Sequence, residues 1–147
     1  MVMEIQIRDA GIDDYETVHK LLLQFALFQG TPEKCRISLE EMKENAEIFQ
    51  CLLAVKGTEI IGFASWFYGY YSWSGKAIYL DDLYVLQDFR GIGVGSKLFD
   101  TLVEKAKAEN CKKLRWQVSK WNESARTFYE SRGAIVDDVD INCDLYL

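Results

Sequence analysis

Three glycines, Gly91, Gly93 and Gly95, fall within a segment of five residues that follows an apolar run and precedes a helical pattern. Because glycine has no Cβ, a backbone with this spacing can bend closely around a ligand and can turn successive amides and a helix N-terminus toward an anion. Arg90 and Ser96 flank the glycines and could add side-chain donors. The segment predicts a pyrophosphate site, and a tight turn without a ligand is the alternative.

Two common phosphate-binding loops do not fit this segment. Lys97 follows Ser96, whereas a P-loop for nucleoside triphosphates has its lysine before the serine or threonine. A dinucleotide-binding fold places its glycines in an opening βαβ unit, and here they come late in the chain, after a predicted antiparallel hairpin. A different ligand that contains pyrophosphate is therefore expected.

Hydrophobic periodicity and turn residues predict the elements that position this segment. Strands are expected at residues 3–8, 51–55, 60–71, 76–85 and 112–118, with a closing strand or strand pair within 134–147. Helices are expected at 15–28, about 39–49, 94 to near 110, and 122–131. The order β-α-α-β-β-β-α-β-α-β is typical of an α+β, or mixed α/β, fold with a largely antiparallel twisted sheet flanked by helices. Residues 1–147 are expected to form a single domain.

The composition limits the possible classes of protein. Acids outnumber bases by 23 to 17, and the resulting net charge of −6 disfavours a nucleic-acid partner and suits cationic ligands. The four cysteines form no CxxC pair, so neither a metal site nor a disulfide framework is expected. The N-terminal residues contain no long apolar run, and a soluble, cytoplasmic protein without a membrane segment is predicted.

Residues 90–95, with the sequence RGIGVG, match the [QR]xxGx[GA] signature of the GNAT superfamily of N-acetyltransferases, and the order of elements resembles that superfamily over essentially the whole chain. Residues 78–85, 90–97 and 121–134 also resemble the diamine (spermidine/spermine) N-acetyltransferase subfamily. The resemblance implies the GNAT fold, acetyl-CoA as co-substrate and no metal.

The resemblance also implies where acetyl-CoA would bind. Its pantetheine arm would lie along β-strand residues whose last amide, at Val85, would polarise the thioester carbonyl. Tyr129 would protonate the departing thiolate, although an aromatic residue at this helical position is also a common core residue. Asn122 would contact the cofactor, and it would also serve as a helix N-cap without one. The implied cofactor residues are Leu83, Tyr84, Val85, Arg90, Gly91, Ile92, Gly93, Val94, Gly95, Ser96, Asn122, Ser124, Ala125 and Tyr129.

The acceptor is expected on the same strand. A primary ammonium has a pKa of about 10.4, so a base or a proton path is required before the nitrogen can attack, and carboxylates near the acetyl group are the candidates. Regular alternation would place Asp81 on the face of Tyr79, Leu83 and Val85, and Asp82 on the opposite face. Asp81 matches the glutamate that contacts substrate in the diamine subfamily, and we assign it as base and anchor. The implied acceptor residues are Asp81, Asp82, Phe28, Gln29, Trp116 and Gln117.

The predicted function is transfer of an acetyl group to a primary amine of a small cationic acceptor, such as a diamine or polyamine, by direct attack. Phe28 and Gln29 replace a tyrosine-glutamate pair of the diamine subfamily, which removes an anionic contact. Acceptors such as a lysine analogue, an amino sugar or a protein amine therefore remain alternatives, as does a non-catalytic acyl-CoA-binding module. The aromatic loop at residues 68–75 suits a polyamine stem or the interface of a homodimer, and a homodimer is expected.

Overall fold

Within residues 4–147, five strands form one sheet whose order in space follows their order in the sequence. They are β1 (Ile5–Asp9), β2 (Gln50–Lys56), β3 (Glu59–Tyr71), β4 (Gly75–Val85) and β5 (Lys113–Trp116). The first four pair antiparallel, and β5 runs parallel to β4, so the expected largely antiparallel sheet is confirmed. The computed structural model describes residues 4–147, and Met3 of the predicted first strand lies outside them.

Four α-helices accompany the strands, and the described chain divides into two compact units. The first unit ends at Trp116 and holds the sheet with α1 (Tyr15–Phe28), α2 (Leu39–Glu44) and α3 (Val94–Ala108). The second unit, Gln117–Leu147, holds α4 (Glu123–Ser131). None of the helices within residues 4–147 combines the length and the hydrophobicity that a bilayer span would need.

One face of the sheet packs against α1 and α2. Their buried side chains meet Leu53 and Phe63 of the central strands and Tyr84 of β4. Apolar residues of α1 recur at helical spacing, as the sequence predicts, and Tyr15, Val18 and Leu21 are its buried positions. This cluster is completed by Met42, Cys51 and Val55, and it holds the end of β4 against α1.

The other face of the sheet lies toward α3. Trp66 stands three positions from Phe63 on β3 and therefore faces the opposite side, where the Lys105 ammonium lies 5.3 Å from the centre of its ring. Phe99 meets Trp116 edge to face, with ring centroids 5.1 Å apart. The helix ends at Ala108, and Asn110 follows in a left-handed conformation (φ 60°), close to the predicted end. The sheet and α3 together fix the turn that contains Gly91 and Gly93, and Gly95 lies in the first turn of α3.

The second predicted helix is shorter than expected because Asn45 ends it. The capping box of Ser38 and Glu41 forms as predicted, with the Glu41 amide 3.1 Å from the Ser38 hydroxyl oxygen. The Asn45 side-chain amide donates to the Glu41 carbonyl at 2.8 Å, and the residues that follow form turns. The helix therefore stops at Glu44 instead of near Phe49.

The closing strand predicted within residues 134–147 is wrong, because no strand forms there. This segment contains four aspartates, a residue type that is depleted in strands. The Val139 amide donates to the Asp137 carboxylate at 2.9 Å, a local bond that competes with pairing to a neighbouring strand. Its alternating apolar residues, among them Ile141 and Leu145, are exposed.

Candidate active site

The turn between β4 and α3 leaves open space in front of its glycines. Gly91 and Gly93 have φ values of 79° and 91°, which disfavour a residue with a side chain. A Cβ added to either residue would meet no protein atom within 4 Å, so the glycines are needed for backbone conformation and not to relieve crowding. A ligand can therefore approach the backbone of this turn directly.

The N-terminus of α3 suits an anion. The bond from the Lys97 amide to the Gly93 carbonyl, at 3.0 Å, begins the helical pattern, and the amides before it have no intrahelical acceptor. The first turn of α3 contains no acid, whereas the first turns of α1, α2 and α4 contain glutamates. Without an internal carboxylate at this end, the positive end of the helix dipole is left for a bound anion.

Arg90 extends back toward the end of β4. Its Nε donates to the Val85 carbonyl at 2.8 Å. Its guanidinium carbon lies 4.8 Å from the ring centre of Phe28 and 5.3 Å from that of Tyr84. These contacts place the side chain beside the strand end and the last residue of α1. The sequence-based role of Arg90 as a phosphate donor stays a prediction.

An extra residue interrupts β4 at Asp81. Ser65 of β3 pairs with Asp82 and the next residue, Trp66, pairs with Leu80, so Asp81 has no partner in this register. The result is a β-bulge, a feature that redirects side chains next to it. Tyr79 therefore shares a sheet face with Asp82 and Tyr84, and the predicted alternation, which put Tyr79 on the opposite face from them, is wrong.

Ser65 contacts a candidate site residue, Asp82, and was not predicted from the sequence. Its side chain is buried, and its hydroxyl accepts a hydrogen bond from the Asp82 amide at 3.2 Å. The bond gives an acceptor to a backbone amide beside the bulge. A single hydroxyl within the otherwise apolar run of residues 60–67 was the signal that could have identified it.

The two aspartates at the bulge are electrostatically coupled. Burial raises the pKa of Asp82 to about 7, and the negative charge of Asp81 adds to the rise. Desolvation by neighbouring groups also raises the pKa of Asp81, although part of that side chain is exposed. Asp82 is therefore close to the midpoint of its titration at neutral pH, where a carboxylate can both take up and release a proton.

Burial raises the pKa values of two cysteines, Cys35 and Cys51, and the charge of Asp82 adds to both effects. Cys51 pairs with Ser65 across β2 and β3, and burial is the main reason that its pKa rises to about 12. Burial also raises the pKa of Cys35, and the Asp82 carboxylate adds to that effect. Both thiols therefore stay protonated at neutral pH and are poor nucleophiles.

Aromatic side chains line the region where α1 ends. Tyr84 meets Phe25 edge to face at 5.2 Å, and its ring centroid lies 6.4 Å from that of Phe28. Gln29 is the C-cap of the helix, and its backbone N–H donates to the Phe25 carbonyl. The two predicted acceptor residues at this helix end thus lie in the same unit as the aspartate pair. Leu83, also on β4, pairs with Ala64 of β3.

In the second unit, α4 positions the remaining predicted cofactor residues. The side-chain oxygen Oδ1 of Asn122 accepts hydrogen bonds from the Ala125 backbone amide and the Ser124 hydroxyl, both at 3.2 Å, so Asn122 is an N-cap. Tyr129 is buried, and this burial raises its pKa to about 12. Gln117 donates to the Asn142 side chain at 2.6 Å. Tyr129 is therefore protonated at neutral pH and can act as an acid but not as a base.

The structure describes the side chains of residues 4–147 that could serve as metal ligands. Within that range, no three histidine, cysteine, aspartate or glutamate side chains come together in a way that could hold a metal ion.

The profile of the acetyltransferase (GNAT) family matches residues 15–134, and the chain belongs to this family. It is an N-acetyltransferase, of a family that uses acetyl-CoA as co-substrate. Thialysine N-epsilon-acetyltransferase from Bos taurus is 29% identical over 142 residues, which cover 88% of this chain and 84% of that protein.

Two further comparisons extend this relationship. Spermidine/spermine N(1)-acetyltransferase-like protein 1 from Homo sapiens is 28% identical over 141 residues, which cover 88% of this chain and 20% of that protein. The solved structure of an aminoglycoside acetyltransferase from an uncultured soil metagenomic sample has the same fold, with a TM-score of 0.80 at 18% identity. It covers 98% of this chain and 100% of that one. The resemblance to the GNAT superfamily and to its diamine subfamily is confirmed.

The aspartate pair gives a direct prediction for a titration. We expect the Asp82 carboxyl carbon to titrate with a midpoint of about 7 in ¹³C NMR spectra. Asp81→Asn should lower the midpoint because it removes a nearby negative charge, but burial should hold it above the ordinary value of about 3.9. The matched control is Asp88→Asn, an exposed site outside the strand, which should leave the midpoint unchanged. An Asp82 midpoint in the ordinary range in the unmodified protein would contradict the electrostatic description.

Proposed function

We propose that this chain transfers the acetyl group of acetyl-CoA to a primary amine of a small cationic acceptor, of the diamine or polyamine class. The observation that carries the proposal is the coupled carboxylate pair, Asp81 and Asp82, on the strand that leads into the open glycine turn. A pair of acids attracts an ammonium, and the turn suits the pyrophosphate of the donor.

Asp82 is the stronger candidate for the base. Its pKa of about 7 lets it exist as a carboxylate at neutral pH and accept the proton that the ammonium must lose. Asp81, the residue predicted from the sequence for this role, then anchors the cation, and its charge adds to the effect of burial on the pKa of Asp82. The neutral amine attacks the thioester carbonyl carbon and a C–N bond forms. As the C–S bond breaks, the nitrogen loses its extra proton to water, and water later returns a proton to the residue that protonates the thiolate. The amide of Val85 stabilises the developing oxyanion.

The departing thiolate requires a proton, and we assign its donor as Tyr129. Support comes from the match to the family tyrosine at this position and from the raised pKa, which keeps the phenol protonated. The family profile continues from the first unit into the second through Trp116 and Gln117. For this reason we propose that residues 1–147 act as one acetyltransferase domain, with Asn122, Ser124 and Ala125 assigned to the cofactor.

A lysine analogue is the second candidate acceptor. Thialysine N-epsilon-acetyltransferases are among the relatives, from several animals. Phe28 and Gln29 are neutral where diamine acetyltransferases have a tyrosine and a glutamate, so the end of α1 offers no carboxylate for a second ammonium. An acceptor with one reactive amine, and with a distal group other than a second ammonium, would fit the end of α1.

An amine panel tests the proposal. CoA release is measured with spermidine, thialysine, an aminoglycoside and a primary amine with a neutral tail. We expect turnover with a cationic amine, with kcat/KM rising as the pH increases through about 7, because Asp82 must be ionised to accept a proton. Asp82→Asn should remove this dependence and reduce the rate by about 10²- to 10⁴-fold. Tight acetyl-CoA binding without turnover of any amine would instead indicate a non-catalytic acyl-CoA-binding module.

The cofactor half is tested at Gly93. Gly93→Val places a branched side chain in the open space in front of the turn, and we expect calorimetry to show acetyl-CoA affinity reduced by about tenfold or more. Gly133→Val is the matched control, since Gly133 also has a positive φ (86°) and open space around it. The control has a comparable backbone cost and should keep its affinity. Equal affinities in both folded variants would exclude the turn as the site.

The proton donor is tested at Tyr129. Tyr129→Phe removes the phenolic hydroxyl, and we expect kcat to fall by about 10²- to 10⁴-fold while acetyl-CoA affinity is kept, because the proton is needed only as the thiolate leaves. Tyr146→Phe changes an exposed tyrosine of the same unit and should not affect kcat. Near-normal kcat in Tyr129→Phe would mean that water protonates the thiolate and that the tyrosine is a packing residue.

We also propose a homodimer in the cytoplasm. Tyr70, near the end of β3, and Trp73, in the turn that follows, are 81% and 101% exposed, which is unusual for large aromatic residues of a monomer. All four cysteines are free, which suits a reducing compartment. We expect sedimentation at micromolar concentration to give a dimer that Trp73→Ser weakens. A single monomeric species would refute the dimer.

A further inference from the structure

The guanidinium of Arg90 joins three parts of the acetyltransferase site. It bonds through Nε to the carbonyl of Val85, the last residue of β4. It also lies over the rings of Phe28, the last residue of α1, and Tyr84. Arg90 itself directly precedes the glycine turn. The geometry points to Arg90 as a positioning residue that fixes the end of β4 and the end of α1 to the turn, and this inference rests on the proposed function.

The hydrogen bond from Arg90 is one of two that hold the peptide unit between Val85 and Leu86. The peptide between Val85 and Leu86 donates its N–H to the Ile61 carbonyl at 2.9 Å and accepts the Arg90 Nε through its oxygen at 2.8 Å. β3 also approaches the strand end closely at Gly62, where a Cβ would lie 2.9 Å from the Tyr84 carbonyl oxygen. A peptide held at both ends resists rotation, so the direction of the Val85 carbonyl is fixed, in the residue whose own amide is the proposed oxyanion donor.

The aromatic contacts extend this effect to α1. A planar guanidinium can stack on rings while its edge donates hydrogen bonds, which an ammonium cannot do. The last turn of α1 contains no basic residue, and Arg90 brings a positive charge next to Phe28, at the negative end of that helix dipole. The helix end that carries the predicted acceptor residues Phe28 and Gln29 is thereby connected to the turn predicted to bind the cofactor.

A direct contact of Arg90 with the pyrophosphate is the competing interpretation. The two roles differ in what they require of the donor, because acetyl-pantetheine carries the thioester but no pyrophosphate. A phosphate ligand would contribute nothing to the reaction of acetyl-pantetheine. A residue that positions Val85 and α1 would be needed equally for both donors.

The experiment compares kcat/KM for acetyl-CoA and acetyl-pantetheine, with the best amine of the panel, in Arg90→Lys and Arg90→Met. Lysine keeps the charge but loses Nε and the planar stack. We expect both variants to lose about tenfold to a hundredfold with both donors, while the Kd of acetyl-CoA stays within about twofold of the unmodified protein. Lys56→Met is the matched control, since Lys56 places its ammonium 5.4 Å from the Phe89 ring just before Arg90 and should show no loss.

Two outcomes would overturn the inference. The first is a loss confined to acetyl-CoA, with a weaker Kd in Arg90→Met and a preserved one in Arg90→Lys, which would make Arg90 a phosphate ligand. The second is unchanged kinetics with both donors. Circular dichroism and thermal unfolding of each variant separate these results from misfolding.

A measurement without an acceptor separates this inference from the proposed function. Hydrogen exchange of the Leu86 amide reports on the peptide that Arg90 holds. We expect faster exchange in Arg90→Lys than in the unmodified protein and no change in Lys56→Met. If no amine in the panel is acetylated, the proposed function fails, and unchanged exchange at Leu86 in Arg90→Lys would by itself overturn the positioning role.

Discussion

Between the Trp66–Leu80 pair and the Ser65–Asp82 pair, β4 has one residue more than β3, and regular alternation cannot continue through the strand. The extra residue is Asp81, so the chain changes which side chains share a face at the point where two acids occur in succession. On a regular strand two consecutive residues point to opposite faces and their charges are kept apart by the sheet. Here burial raises the pKa of Asp82, and the negative charge of Asp81 adds to the rise. The buried Ser65 hydroxyl accepts the Asp82 amide and thereby stabilises the irregular backbone.

This arrangement has a thermodynamic consequence for the fold. The pKa of Asp82 is raised in the folded protein above its unfolded value, so the folded state holds a proton that the unfolded state releases. The contribution of Asp82 to stability is therefore fully present below the unfolded pKa of about 3.9 and is lost as the pH rises through about 7. Near neutral pH much of this contribution to stability is lost, because the partly desolvated carboxyl group of Asp82 is then partly ionised. A bound ammonium would compensate it, because an opposite charge favours the ionised form.

The parts of the site that depend on local sequence could be predicted, and the parts that depend on strand pairing could not. Gly91 and Gly93 need positive φ values and precede a helix with a clear apolar period, and both properties can be read from neighbouring residues. The bulge depends on the register between β4 and β3, which pairs residues that are far apart in the sequence. The sequence pattern around Asp81 does not indicate it. The strand predicted within residues 134–147 was wrong for the opposite reason. Their alternating pattern satisfies the rule for a strand, yet an aspartate side chain that bonds to the Val139 amide provides a local alternative to the sheet.

An acidic chain with a net charge of −6 can still bind a polyanionic donor because the two kinds of charge act over different distances. At physiological ionic strength exposed charges are largely screened beyond about 8 Å, so the turn is governed by its own amides, the α3 dipole and nearby side chains. The absence of acids from the first turn of α3, in contrast to the first turns of α1, α2 and α4, keeps repulsion out of that short range. The surplus of acids elsewhere contributes a weak negative potential that favours the approach of a cation. Placement of charge, and not net charge, therefore makes the two proposed ligands, an anionic donor at the turn and a cationic amine at the aspartate pair, compatible within one small fold.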